Sequence, residues 1–211
     1  MQWKRCYRQL VEIINHGPDP SVVDHIKHYC KSYNFDTHTI IDVGVHCFEE
    51  AESYINAFDK WIGYEPNPFH YERFVQEYPQ YKIHQVALGE ELATMTLYYN
   101  DQWEGMSTLN LNWLEHMDKT TDLVFDANWK TVPVQVKTLD SYNLPKFDVL
   151  KVDAEGWDKR VIRGATNTIN MWKPLIVSEV VDLDHMDYIN YTCEKIEGNW
   201  YCIPKDRIWK T

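Results

Sequence analysis

The sequence of 211 residues has no long hydrophobic run and no excess of positive charge. No apolar stretch approaches the length of a membrane span, and the amino terminus lacks the apolar core of a signal peptide. Lys and Arg number 21 against 32 Asp and Glu, which gives a formal net charge of -11. Since nucleic acids and anionic membranes are bound by basic surfaces, we expect neither as a partner. The sequence therefore predicts a soluble, cytoplasmic protein whose ligand is neutral or cationic.

Closely spaced cysteine pairs are also lacking. The five cysteines are scattered, odd in number and never arranged as a CxxC pair, which fits a reducing compartment better than a disulfide framework. Cys193 and Cys202 are placed so that they could face each other across a hairpin. We nevertheless expect these two cysteines to be reduced neighbours.

The length and the 44% hydrophobic content predict a single domain over residues 1–211, large enough to bury a core. Apolar residues at helical spacing predict two leading helices, Gln2–Ile14 and Val22–Tyr33, within a lead-in of residues 1–36. The remaining residues, 37–211, form the predicted core of the domain.

The core opens with a predicted β-α-β unit: a strand at Thr39–Gly44, a helix at Phe48–Phe58 and a strand at Trp61–Glu65. About twenty residues separate Gly44 from Glu65, the spacing that a nucleoside site needs. In such a site the backbone approaches the ligand at the glycine turn, and the carboxylate accepts the ribose hydroxyls. An acid at a strand tip indicates a nucleoside site more specifically than a lone glycine does.

Helical and strand patterns alternate along the rest of the core, apart from residues 100–130. This alternation predicts an α/β fold with a doubly wound, mostly parallel sheet that ends in a C-terminal antiparallel hairpin. The predicted elements are a helix at Pro68–Tyr78, strands at Tyr81–Leu88, Thr94–Tyr99, Val132–Val136 and Pro174–Glu179, and a hairpin from Tyr191 to Ile203. Residues 100–130 are irregular and rich in tryptophan. They are predicted to form a substrate loop, the alternative being a surface excursion that packs back on the body.

The most informative stretch is the predicted strand Asp148–Val152 with the residues that follow it. Asp153 and Glu155 come where this strand ends, and Gly156 allows a tight turn into a helix predicted to reach Met171. In an open α/β sheet the ligand crevice lies outside the carboxyl ends of the strands, so both acids are placed for chemistry. The alternative is that Glu155, or the nearby Asp158, only caps the following helix.

Eight short segments occur in order between Thr39 and Pro204: Ile41–Gly44, Tyr64–Pro68, Val86–Gly89, Gly105–Leu109, Val136–Asp140, Lys151–Gly156, Gly164-Ala165 and Pro174–Glu179. In these segments and their order, the sequence resembles the FkbM family of S-adenosylmethionine-dependent methyltransferases. The resemblance implies a Rossmann-like class I methyltransferase fold.

The resemblance also implies a cofactor site for S-adenosyl-L-methionine. Asp42 and Gly44 would line its methionine side, Glu65 would hold the ribose, Val86 and Ala87 would border the adenine, and Asp153 would stand beside the transferred methyl. The predicted cofactor-binding residues are Asp42, Gly44, His46, Glu65, Asn67, Val86, Ala87 and Asp153.

One residue departs from the family's first motif, because Phe48 stands where a second glycine is expected. A phenylalanine there would crowd the cofactor unless the loop is reshaped. His46, in place of the family's amide, would hydrogen-bond the cofactor's amino-acid end. The alternative function is a catalytically weakened binding module in a glycan-assembly complex. A nicotinamide-dependent oxidoreductase fits less well, since the further glycines of a dinucleotide loop are missing.

For the chemistry, the family implies transfer of a methyl group to a hydroxyl. Asp153 is the predicted base, and Glu155 and Glu179 are predicted to orient the acceptor or to replace Asp153. These three acids could instead hold a divalent cation. The predicted acceptor is a small molecule or glycan, in particular a neutral sugar, because tryptophans suit stacking on sugar faces. Its predicted contacts are Trp103, Ser107 and Trp113.

Overall fold

A seven-stranded sheet with packed side chains on both faces forms the body of the protein. The computed structural model describes residues 22–46, 48–100, 107–114 and 129–208, with the backbone alone for residues 48–50. The predicted helix Gln2–Ile14 lies outside these residues. The strands of the described residues are β1 (Thr39–Val43), β2 (Lys60–Tyr64), β3 (Lys82–His84), β4 (Ala87–Leu88), β5 (Ala93–Tyr99), β6 (Ser107–Thr108), β7 (Lys130–Lys137), β8 (Val149–Val152), β9 (Leu175–Ser178), β10 (Tyr191–Ile196) and β11 (Asn199–Pro204).

The helices alternate with these strands as the sequence pattern predicts. They are α1 (Val22–Ser32), α2 (Phe48–Ala57), α3 (Pro68–Glu77), α4 (Asp158–Arg163), α5 (Thr166–Trp172), α6 (Leu183–Tyr188) and α7 (Lys205–Ile208). Residues 111–114 form a further helical turn, and Leu139–Ser141 form a 3-10 turn. Of these elements, α6, α7 and the two turns at 111–114 and Leu139–Ser141 were not predicted.

The order of the strands places a crevice beside β1. The main sheet runs β10-β11-β9-β8-β1-β2-β3. The strands from β9 to β3 are parallel, whereas β11 runs antiparallel to both β9 and β10. The chain moves from β1 outward to β3 and then returns to β8 on the other side of β1. The carboxyl ends of β1 and β8 thus form a topological switch point, where α/β sheets bind their ligands.

The central strands are buried on both faces, which explains their apolar, β-branched sequences. All residues of β1, β8 and β9 are buried. Alternate side chains enter two separate cores, because successive residues of a strand point to opposite faces. Ile40 and Val149 pack with α1, α2 and α3, whereas Ile41 and Leu150 pack with α4, α5 and α6.

Four of the described strands form a second sheet, with strand order β4-β7-β5-β6, and none of them is paired with a strand of the main sheet. The prediction of one continuous strand over Tyr81–Leu88 was therefore wrong. The N–H of Val86 donates to the carbonyl oxygen of His84 at 3.0 Å, and this tight turn separates β3 from β4. The excursion from β4 through β7 begins and ends at adjacent points, since the N–H of Gly89 donates to the oxygen of Lys137 at 2.9 Å.

The helix predicted to continue to Met171 is instead divided into α4 and α5, with Gly164 and Ala165 between them. Gly164 is closely packed at this division. A Cβ at this position would lie 1.7 Å from the carbonyl oxygen of Gly89, where the second sheet begins. The glycine therefore lets this break approach the neighbouring backbone.

Cys193 and Cys202 form a disulfide bond, so the expectation of two reduced cysteines was wrong. They lie directly opposite each other in the antiparallel pair β10–β11, as their predicted places across a hairpin allow. The disulfide also weakens the argument for a reducing compartment. Cys30 is free and buried. Within the described residues, no helix has the length and apolarity to cross a membrane.

Candidate active site

A pocket at the carboxyl ends of β1, β2 and β8 encloses about 680 Å³, part of it open to solvent. Gly44 and His46 reach it from the end of β1, Glu65 from β2, and Asp153 and Glu155 from β8. The second sheet and its approach cover another side with Val86, Ala87, Leu88, Leu97 and Ser107.

Gly44 allows the turns after β1 and β8 to lie close together. Its φ is +79°, and a Cβ would lie 1.7 Å from the carbonyl oxygen of Asp153. Its N–H donates to the carbonyl oxygen of Tyr64 at 2.9 Å. A glycine is needed here because any side chain would push the ends of β1 and β8 apart.

Glu65 is the carboxylate at the tip of β2, and it is held by two backbone groups. Its Oε2 accepts the N–H of His46 at 2.9 Å, and its Oε1 accepts the N–H of Asn67 at 2.8 Å. Burial raises the pKa of Glu65 to about 7, against the lowering effect of these hydrogen bonds and of the Lys151 charge. Its side chain is thereby fixed in orientation while it lines the pocket.

Lys151 lies beneath the site and was missed by the sequence analysis. Its Nζ lies 3.3 Å from Asp42 Oδ1 and 3.8 Å from Asp153 Oδ2, and it donates to the carbonyl oxygen of Gly44 at 3.2 Å. Lysine is almost never fully buried without a partner. A lysine within an apolar strand was therefore the signal that could have revealed this residue.

Asp42 was predicted as a cofactor contact, but the structure does not place it in the pocket lining. Its carboxylate pairs with Lys151 on the neighbouring strand, and its Oδ2 accepts the indole N–H of Trp61 at 3.1 Å. Asp42 therefore lies behind the turn that carries Gly44.

Glu155 sits in a turn with a left-handed backbone, at φ +47°. The hydroxyl of Thr108 donates to its carbonyl oxygen at 2.6 Å, and the side-chain N–H of Asn110 donates to the oxygen of Gly156 at 3.1 Å. These two bonds attach the segment after β6 to the turn after β8. Trp113 packs on the same turn, since a Cβ at Gly156 would lie 2.5 Å from its ring.

Burial, together with the nearby charges of Asp153, Glu179 and Asp158, raises the pKa of Glu155 to about 9. Glu155 therefore carries its proton at neutral pH. The helix-capping alternative has no support, because Trp157 occupies the N-cap of α4 without a side-chain cap bond.

Asp158, the other residue considered as a helix cap, is a buried acid of α4. Its Oδ1 accepts the hydroxyl of Ser178 at 2.9 Å. Burial is the main cause that raises its pKa to about 6.

Several other predicted site residues lie elsewhere. Asn67 caps α3 by accepting the N–H of Phe69 at 3.0 Å, and neither it nor Trp113 lines the pocket. Glu179 is exposed and likewise does not line it. Trp103 and the side chain of Phe48 lie outside the described residues. In the described parts of the chain, no group of three or more His, Cys, Asp or Glu side chains is arranged to hold a metal ion.

Comparison with known protein families identifies the domain. Residues 42–197, about three quarters of the chain, match the sequence model of the methyltransferase FkbM domain. The chain belongs to this family. The FkbM match runs from the last two residues of β1 to the end of β10, and so it includes every residue of the pocket lining.

Solved structures of two methyltransferases are similar to this FkbM domain. A methyltransferase FkbM from Methylobacillus flagellatus KT is 15% identical, with a TM-score of 0.49 over 79% of this chain. The present chain spans only 43% of that protein's length. A precorrin-6y C5,15-methyltransferase from Geobacter metallireducens GS-15 is 11% identical, with a TM-score of 0.40 over 91% of this chain and 93% of its own. A comparison with curated proteins found no significant match.

Proposed function

We propose that the chain is an S-adenosylmethionine-dependent O-methyltransferase that methylates a hydroxyl of a sugar or glycan. One observation carries the proposal: Gly44, Glu65 and Asp153, which follow three different strands, line a single pocket. The family match supports methyl transfer, and the chemistry of the pocket supports this cofactor and this class of acceptor.

The pocket lining fits the parts of S-adenosylmethionine. Glu65 would accept the ribose hydroxyls with the lone pairs that its two backbone hydrogen bonds leave available. Val86, Ala87 and Leu97 offer an apolar surface for the adenine. The carboxylate of Asp153 suits a cationic sulfonium, and among the described residues of the lining there is no Lys or Arg. When bound, the cofactor supplies a methyl group that is already activated for displacement.

Asp153 and Glu155 have different roles toward the acceptor hydroxyl. Asp153 would accept the proton of the acceptor hydroxyl as the oxygen–carbon bond forms and the carbon–sulfur bond breaks. Glu155, with its pKa raised to about 9, is protonated and would donate a hydrogen bond that orients the acceptor. The main contribution left to the protein is the alignment of the two reactants, which lowers the activation barrier by about 7 kcal/mol or more in favourable cases.

The charge of the lining supports a neutral acceptor. A phosphate or carboxylate placed beside Asp153 would meet like charge without a cation in the described lining to offset it. Ser107 adds a hydroxyl, which can both donate to and accept from a sugar hydroxyl. A neutral polyol therefore suits this pocket better than a nucleotide or a sugar acid.

Calorimetry with S-adenosylhomocysteine tests the cofactor half of the proposal. We expect binding to the purified chain, and Glu65→Ala is expected to weaken it at least about tenfold, the value of one hydrogen bond to a charged group. Glu77→Ala is the control, because Glu77 is exposed on α3 and pairs only with Arg73 in the known contacts of its side chain. An absence of binding would overturn the proposal and favour the binding-module alternative.

The acceptor is tested with methyl-labelled S-adenosylmethionine and a panel of neutral methyl glycosides, each matched with its sugar phosphate. We expect label in the neutral sugars and little in the phosphates, with equal rates before and after treatment with a chelator. Faster labelling of the phosphates would contradict the acceptor class, and loss of activity with the chelator would contradict proton removal by Asp153 without a metal ion.

A further inference from the structure

We infer that Lys151 is a positioning residue that joins the Gly44 turn to Asp153, an inference that rests on the proposed function. The geometry behind it is a single ammonium group with three oxygen neighbours from three parts of the site. Lys151 Nζ lies 3.2 Å from the Gly44 carbonyl oxygen, 3.3 Å from Asp42 Oδ1 and 3.8 Å from Asp153 Oδ2.

Of these three neighbours, Asp42 explains how a lysine can be buried here at all. Lys151 and Asp42 are only 4% and 1% exposed, and they lie directly opposite each other in the parallel pair β8–β1. A buried charge is costly unless it is paired and hydrogen-bonded. Asp42 supplies the opposite charge, and it is itself held by the indole N–H of Trp61. One acid is enough to balance one lysine.

The other two neighbours belong to the pocket and are not needed for charge balance. The Gly44 carbonyl belongs to the turn whose φ of +79° lets β1 and β8 approach each other. The Asp153 side chain is 27% exposed and reaches the pocket, so that an attraction to Lys151 from below restricts its orientation. Lys151 thus restrains both the turn predicted to hold the cofactor and the predicted base. The ring of Tyr54 lies 5.7 Å from Nζ on another side of the ammonium group.

A purely structural role for Lys151 makes a different prediction from a positioning role. Lys151→Met alone leaves Asp42 buried without its cation, so that unfolding is expected in either case. The double variant Lys151→Met/Asp42→Asn removes both charges, and the introduced amide oxygen can still accept the Trp61 N–H. A structural role predicts that the double variant regains stability and function together. A positioning role predicts that it regains stability alone.

The test compares the wild-type chain, the double variant and Lys146→Met. Lys146 is the control, because its side chain is 53% exposed, it pairs with Asp36 at 3.0 Å and with the buried Asp148, at the opposite end of β8, at 3.5 Å, and it does not line the pocket. Melting temperature, affinity for S-adenosylhomocysteine, and kcat and KM with the most active neutral methyl glycoside are measured for each. Lys151→Arg is a second variant that retains the charge and the pair with Asp42, while its planar fork does not reproduce the contacts of a compact ammonium.

For the double variant we expect a melting temperature close to wild type, about tenfold weaker binding of S-adenosylhomocysteine and kcat lowered by about 10- to 100-fold, with acceptor KM unchanged. Lys151→Arg should also fold and lose kcat, and Lys146→Met should retain both affinity and kcat. Wild-type affinity and kcat in a folded double variant or in Lys151→Arg would overturn the inference alone. A wild-type chain that neither binds S-adenosylhomocysteine nor transfers methyl would overturn the proposed function and this inference together.

Discussion

Replacing Gly44 with alanine should separate the two strands on which the candidate site depends. The added Cβ would lie 1.7 Å from the carbonyl oxygen of Asp153 and 2.9 Å from its carbonyl carbon. Both atoms belong to the backbone, so no change of rotamer can relieve the contact. To reach even the shortest separation found for real Cβ atoms, 3.0 Å, the turns after β1 and β8 must move apart by about 1.3 Å.

The expected cost has two parts. Overpacking at a rigid contact costs about 1–3 kcal/mol, and a non-glycine residue at positive φ costs about 1 kcal/mol more. The sum, about 2–4 kcal/mol, is a large fraction of the 5–15 kcal/mol that is typical for a folded domain. For a chain of this length it corresponds to a fall in melting temperature of about 4–16 °C. Affinity for S-adenosylhomocysteine should fall as well, because the displaced turn lines the pocket.

Gly198→Ala is the matched control for the backbone contribution. Gly198 also has positive φ, +90°, but no heavy atom lies within 4 Å of its added Cβ. The free energies of unfolding of the two variants, measured by heat or urea, should therefore differ only by the cost of the contact, about 1–3 kcal/mol. Equal melting temperatures, or wild-type affinity for S-adenosylhomocysteine in Gly44→Ala, would refute the assigned approach of the two turns.

Three further predictions concern pH, the second sheet and the disulfide. Glu155 holds its proton more tightly in the folded chain, where its pKa is about 9, than in the unfolded chain, where the usual 4.5 applies. Its contribution to stability is therefore lost as pH rises from about 5 towards 9, and Glu155→Gln should be more stable than wild type in urea unfolding at pH 8.5 but not at pH 4.5. Thr108→Val removes the donor to the Glu155 carbonyl, and it should lower kcat about fivefold without changing cofactor affinity. Thr94→Val, with a hydroxyl that bonds only an exposed glutamine in the known contacts, should leave kcat unchanged, and equal effects of the two variants would count against this attachment. Dithiothreitol should lower the urea midpoint by the equivalent of about 2–3 kcal/mol, and this shift should vanish in Cys193→Ala/Cys202→Ala; a persistent shift would show a different cause.

The sequence was informative where a single structural rule determines both the type of a residue and its position in the sheet. Acids and glycines directly after apolar strands indicated the tips of β1, β2 and β8, and parallel strands bring such tips to one edge. Gly44, Glu65 and Asp153 could therefore be placed together before any coordinate was known. The structure brings these three residues together in one pocket lining.

The errors concern pairings between distant parts of the chain. Hydrophobic periodicity does not show which sheet a strand joins, so β4 could not be separated from β3. The register of β8 on β1 decides that Lys151 meets Asp42. This register does not follow from spacing along the chain.

The roles assigned from the family motif failed to distinguish residues that line a pocket from residues behind it. Asp42 and Asn67 are both close to the site in sequence, yet one is neutralised by a lysine and the other caps a helix. Which way a side chain points at the end of a strand depends on partners that motif positions alone do not identify.

The excursion from β4 through β7 has a consequence for how acceptor preference can change. Its two ends are hydrogen-bonded to each other at Gly89 and Lys137, while Glu65 and Asp153 belong to the stretches of chain before and after it. Residues 90–136 thus form a cassette with adjacent entry and exit points. Transplanting this cassette between family members would exchange one wall of the cavity, including Leu97 and Ser107, and leave the strand tips of the recipient in place.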